Sequence, residues 1–100
     1  MESIGGSPRV LRRDMSASVD EFVRGLRAAF PGSLEGTGNL FRASEGGVTM
    51  EIEFSIGPTR RIALLALPTL AVTIRFPRGD AAACTALLAH LDRYLHRGGG

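Results

Sequence analysis

The apolar positions of this chain change their period twice. Between residues 18 and 30, Val19, Phe22, Val23, Leu26 and Phe30 recur at three- and four-residue steps, which puts them on one stripe of a helix. Ser18 followed by Glu21 forms a capping box, and Pro31-Gly32 stops the turn, so the spacing predicts a helix over 18–30. From Val48 the period becomes two. In "VTMEIEFSI", Val48, Met50, Ile52, Phe54 and Ile56 alternate with Thr49, Glu51, Glu53 and Ser55, as in a half-buried antiparallel strand. Helical spacing returns after Gly79. Asp80 is a suitable N-cap, Cys84, Leu87, Leu88, Leu91 and Leu95 form an inward stripe, Arg93 and Arg97 suit the negative end of the helix dipole, and Gly98 is placed to cap it.

Turn residues then suggest pairings. Gly46-Gly47 closes a tight hairpin between "NLFRAS" and the alternating strand, setting Phe41 against Ile52 and Arg42 against Glu51. "GPT" closes a second hairpin, with Ile56 opposite Arg60, Phe54 opposite Ile62 and Ile52 opposite Leu64. A last strand, "LAVTIRF", keeps Leu70, Val72, Ile74 and Phe76 inward only if residues 68–70 make a three-residue connection or a bulge. Leu64 then faces Ile74, and Ile62 faces Phe76. "GSLEGTG" reads as a loop. "RVLRRDM" either extends an N-terminal arm or forms a short edge strand.

These elements predict one two-layer α+β domain: a four- or five-stranded antiparallel meander with two helices on one face. The order β-α-β-β-β-β-α resembles the repeat of the TATA-binding-protein-like fold. A ferredoxin-like arrangement is the alternative, but it needs a strand after the second helix that "RGGG" does not supply. The expected division is a flexible arm at 1–8, the domain at 9–97 and a flexible tail at 98–100.

Composition narrows the function classes. A chain of 100 residues supports a single core. "IALLALPTLAVTI" is too short and interrupted to span a bilayer, and the start lacks the pattern of a secretory signal, so no membrane association is expected. The single cysteine makes no internal disulfide, and cytoplasmic residence is the default expectation. All 12 basic residues are arginines, interspersed with acids rather than gathered on one face, which argues against nucleic acid as a partner. The stretch from "RRIALLALP" through "HLDRYLHRGGG" resembles the C-terminal part of small uncharacterised bacterial proteins that end in an Arg-Gly-Gly-Gly tail. That resemblance implies no activity.

Candidate chemistry is sparse. His90 and His96 stand six positions apart, about 120° around a helix, and do not aim at one ion. Asp92 and His96 have i, i+4 spacing, which reads as a surface pair, and both histidines are expected to face solvent or a partner. Cys84 falls on the buried stripe, where a thiol acts as a small hydrophobe. Glu51 and Glu53 share a strand face with Arg42 and Arg75 nearby, an arrangement that suits cross-strand ion pairs. No catalytic set, metal site or cofactor site is expected. The remaining signal is "ALLAL", apolar on both faces. It suggests an interaction surface of Leu40, Arg42, Glu51, Glu53, Leu65, Leu67 and Arg75 on the outer sheet face. The expected function is a non-catalytic interaction module that binds itself, or another protein, through the sheet face or edge. The alternative is a small-ligand binder with a cavity between sheet and helices, where Arg60, Arg61 and Arg78 meet an acid group.

Overall fold

The computed structural model describes residues 10–99, with side chains through Leu95. The arm expected over 1–8 and the side chains of His96 and Arg97 lie outside the described residues. The elements are β1 (Val10–Met15), α1 (Val19–Ala29), β2 (Leu34–Thr37), β3 (Leu40–Glu45), β4 (Val48–Ile56), β5 (Arg60–Ile62), β6 (Leu65–Leu67), β7 (Leu70–Arg78) and α2 (Ala81–Gly99). Five strands form one antiparallel sheet in the order β1-β7-β4-β3-β2, and β5 and β6 form a separate two-stranded ribbon. With the ribbon set aside, the order is the expected β-α-β-β-β-β-α, and the chain is a two-layer α+β domain.

Helix α1 begins as its capping box dictates. The Glu21 amide donates to Ser18 Oγ at 3.2 Å, and the Ser18 amide donates to Glu21 Oε1 at 2.9 Å. Replacing Ser18 with Ala removes one of these bonds. The expected cost is about 1 kcal/mol, seen as a drop in Tm of about 4–8 °C in a thermal melt followed by circular dichroism. Phe22, Leu26, Ala29 and Phe30 are buried, with Val19 and Val23 packed at the margin. Gly25 is buried too, and a Cβ there would stand 2.9 Å from Leu95 Cδ2. The missing side chain is what lets α1 and α2 approach.

Helix α2 is capped by Asp80, whose Oδ1 accepts the Ala83 amide at 2.8 Å. Cys84 and Leu91 are buried, while Leu87, Leu88 and Leu95 are half-buried along the same stripe. The helix continues to Gly99, so Gly98 lies inside its last turn rather than capping it. Arg13 Nη1 donates to Asp92 Oδ1 at 2.7 Å, which ties β1 to α2.

The β3–β4 hairpin has the expected register, with Phe41 opposite Ile52 and Arg42 opposite Glu51. Gly46 and Gly47 adopt φ of 57° and 81°, the positive values that a two-residue turn requires. "RVLRRDM" supplies an edge strand, β1, paired with β7. "GSLEGTG" is not simply a loop: Leu34–Thr37 pairs with β3 as the opposite edge. Inward-facing Phe41, Ala43, Met50, Ile52, Phe54, Leu70, Val72 and Ile74 meet Phe22, Leu26, Phe30 and Leu91 in one core. Both helices therefore cover the same sheet face.

The largest departure concerns residues 57–69. Strand β4 does not pair with Arg60–Leu64. It pairs directly with β7, Ile56 opposite Leu70, Phe54 opposite Val72 and Ile52 opposite Ile74. The alternation of Leu70, Val72, Ile74 and Phe76 in β7 gives β4 an unbroken inward apolar row, whereas "RRIALLAL" opens on two arginines, and burial decides strand choice. Residues 68–70 are therefore no turn. Leu64 does not face Ile74, and Ile62 does not face Phe76. A register irregularity does occur between Thr49 and Glu51, which pair with Arg78 and Arg75. The extra β7 residue falls at Phe76-Pro77, where the proline has no amide to offer the ladder.

Candidate interaction surface

Residues 57–69 continue the β4–β7 hairpin outward as an arm. Its base is held by the Gly57 amide donating to the Thr69 carbonyl at 2.9 Å and by Thr69 Oγ1 donating to the Pro58 carbonyl at 2.6 Å. Pro58 and Pro68 lie in the two links between the main ladder and the ribbon, and neither can donate an amide, so the sheet is interrupted there. Beyond them Arg60 pairs with Leu67, Arg61 with Ala66 and Ile62 with Leu65. Ala63 makes the tip turn at φ 55°, a positive value that costs a non-glycine residue roughly 1 kcal/mol. The molecule measures 49 × 30 × 24 Å, elongated for a chain of this length.

The arm is apolar and basic. Leu64 is fully exposed, Ile62 is 51% and Leu65 61% exposed, and Ile56 at the base is 78% exposed. Arg60 and Arg61 are exposed, and no acidic residue occurs between Gly57 and Thr69. Two-stranded ribbons are marginal on their own in water. This one keeps its aliphatic side chains in solvent.

The outer face of the sheet is a different surface. Leu40, Arg42, Glu51, Glu53 and Arg75 do come together there, as expected. Arg42 Nη2 donates to Glu51 Oε2 at 2.7 Å, and Arg75 Nη1 donates to Glu53 Oε1 at 3.1 Å. Leu65 and Leu67 are not part of this face, because both lie on β6 in the arm. The apolar centre expected on the outer face is therefore Leu40 alone, 49% exposed opposite Glu53. A shallow groove of about 220 Å³ opens beside it, lined by Glu35, Gly36, Phe41, Arg42 and Glu51. Gly36 adopts φ 122°, and a Cβ there would collide with the Leu40 carbonyl oxygen, so no side chain is tolerated at this point of the groove.

Arg60, Arg61 and Arg78 do not converge. Arg60 and Arg61 lie in the arm beyond the end of β4, whereas Arg78 pairs with Thr49 near its start. The smaller of two further clefts does lie between sheet and helix, and none of these three arginines lines either cleft. The larger, about 290 Å³, opens between the beginning of α1 and the end of α2, with Glu21, Arg24 and Tyr94 at its rim. Another, about 220 Å³, lies between Leu11, Phe76, Cys84 and Leu88.

The candidate chemistry resolves into architecture. His90 does not point to solvent. Its Nε2 donates to the Ala29 carbonyl at 2.7 Å, satisfying an acceptor at the end of α1, and its ring packs between Phe30 and Tyr94 at centroid distances of 5.6 and 5.2 Å. Asp92 is engaged by Arg13 from β1. Cys84 is buried in the first turns of α2. Among the described residues no group of three or more His, Cys, Asp and Glu side chains is placed to hold a metal ion, and no helix is long and apolar enough to cross a membrane.

No protein-family model matches the chain, and no curated protein matches it either.

Proposed function

We propose that this chain is a small, non-catalytic interaction module that associates with itself, and that the β5–β6 arm is its contact element. The observation that carries this reading is the cluster of Ile62, Leu64 and Leu65 standing in water at the end of a projecting ribbon. Fully burying such a side chain contributes about 1.5–3 kcal/mol. A lone exposed leucine is ordinary on a protein surface, but three exposed aliphatic residues within four positions, on an arm that packs against little of its own domain, form a docking element. The non-catalytic part of the reading is supported by the engagement of His90 with Ala29 and of Asp92 with Arg13.

Sedimentation equilibrium across the micromolar range tests it. The expected result is a reversible shift from monomer toward dimer with concentration. A strict monomer throughout that range ends the reading.

A further inference from the structure

We propose that the arm of one copy seats on the outer sheet face of a second copy, its apolar tip over Leu40 and its arginines beside Glu35, with the two copies exchanging arms reciprocally. The inference rests on the self-association reading above and names the surface that receives the arm.

Charge selects the site. The arm carries Arg60 and Arg61 with no acid between Gly57 and Thr69, and neither arginine has a partner among the described residues. The apolar tip therefore needs an apolar surface with acidic surroundings. The sector around Leu40 holds Glu35, Glu51 and Glu53 against two guanidinium groups, those of Arg42 and Arg75. Glu51 and Glu53 are already engaged, by Arg42 and Arg75, whereas Glu35 has no partner among the described residues. It stands at the groove beside Leu40.

The two other clefts described above lack this match. The cleft between α1 and α2 offers Arg24, which repels the arm, and Glu21, which is held in the capping box. The groove beside Leu88 is lined by Leu11, Phe76, Ala81, Cys84 and Thr85, with no carboxylate to meet the arginines.

The arm does not reach its own Leu40. Leu40 sits opposite Glu53, and the tip at Ala63 lies ten residues further along a continuing hairpin. At about 3.3 Å per residue the separation is roughly 30 Å. Contact in trans follows. A reciprocal exchange uses the same two surfaces on both copies, so it closes on a two-fold axis and stops at a dimer instead of growing into a filament.

The test is a charge swap followed by sedimentation equilibrium at low and high salt. Glu35→Arg is expected to weaken dimerisation about tenfold or more at low salt, and less at high salt. Arg60→Glu with Arg61→Glu is expected to do the same. Combining all three substitutions should restore the dimer to within about threefold of wild type. A Glu35→Arg protein that dimerises like wild type, or a combination that fails to restore it, overturns this surface while leaving self-association standing. A wild-type chain that stays monomeric overturns both. Binding of the monomer to phosphatidylserine vesicles through the same arginines, with no dimer in solution, would assign the arm to a lipid surface and likewise overturn the proposal.

Discussion

The Leu64→Asp variant is expected to sediment as a monomer at concentrations where the wild-type chain dimerises. Leu64 is fully exposed in the single chain, so its removal costs the fold nothing that the structure can identify. An exposed substitution of this kind leaves folding stability within about 0.5 kcal/mol. In the proposed dimer the same position is buried twice, once on each copy. Each buried leucine contributes about 1.5–3 kcal/mol, and the carboxylate that replaces it loses hydration as well. The two contacts together predict a weakening of about 10²- to 10⁴-fold in the dimerisation constant, since each 1.4 kcal/mol is tenfold. Two measurements check this: sedimentation equilibrium, and a urea melt at a concentration where both proteins are monomeric. The expected pair of results is a lost dimer and an unchanged melt. A variant that dimerises normally would remove the tip from the contact. One that unfolds early would show that Leu64 supports the monomer in a way its exposure does not predict.

How much of this was legible in the chain differs by element. The start of α1 was, because a capping box is a local device: Ser18 and Glu21 satisfy each other's amides without help from the rest of the fold. The β3–β4 register was legible for a similar reason, since Gly46-Gly47 fixes the turn and parity fixes the rest. Strand β2 was not. "LEGT" has a single apolar residue to bury and becomes a strand only by pairing with β3, a tertiary effect. The arm was misplaced because "RIALLAL" alternates well enough to pass for a central strand. Local pattern cannot say which of two apolar segments wins the edge of β4. Two prolines carried the missing information. Pro58 and Pro68 flank a turn at Ala63-Leu64, and a hairpin turning there pairs Ile62 with Leu65 and Arg60 with Leu67, as observed, with a one-residue shift between this ribbon and the Ile56–Leu70 pair of the main ladder. Reading them as a symmetric pair would have placed Ile62, Leu64 and Leu65 in the arm. Gly25 left no such trace, since its meaning depends on Leu95, far away in the sequence.

The opposite kind of effect is expected at Phe22. This ring lies on the buried stripe of α1, 1% exposed, and meets Phe54 of β4 edge-on at 5.1 Å. Phe54 in turn stacks on Phe41 of β3 at 6.3 Å. Phe22 therefore pins the helical layer to the two strands whose outer face carries Leu40, Glu51 and Glu53. Truncation to Ala leaves a cavity that a helix fixed at Ser18 and packed on α2 through Gly25 closes only in part. The expected cost is about 3–5 kcal/mol, which for a domain of this size lowers Tm by about 15–30 °C. Phe22→Leu, which keeps most of the volume, should lose much less, and urea melts of the two variants measure the difference. The effect on association separates the two faces of the sheet. Below its melting range, folded Phe22→Ala protein should dimerise with nearly the wild-type constant, because the receiving groove and the arm both lie away from the helices. If Phe22→Ala weakened the dimer as much as Leu64→Asp while still folded, the contact would have to involve the helical layer, and the outer face of β2, β3 and β4 would lose its role.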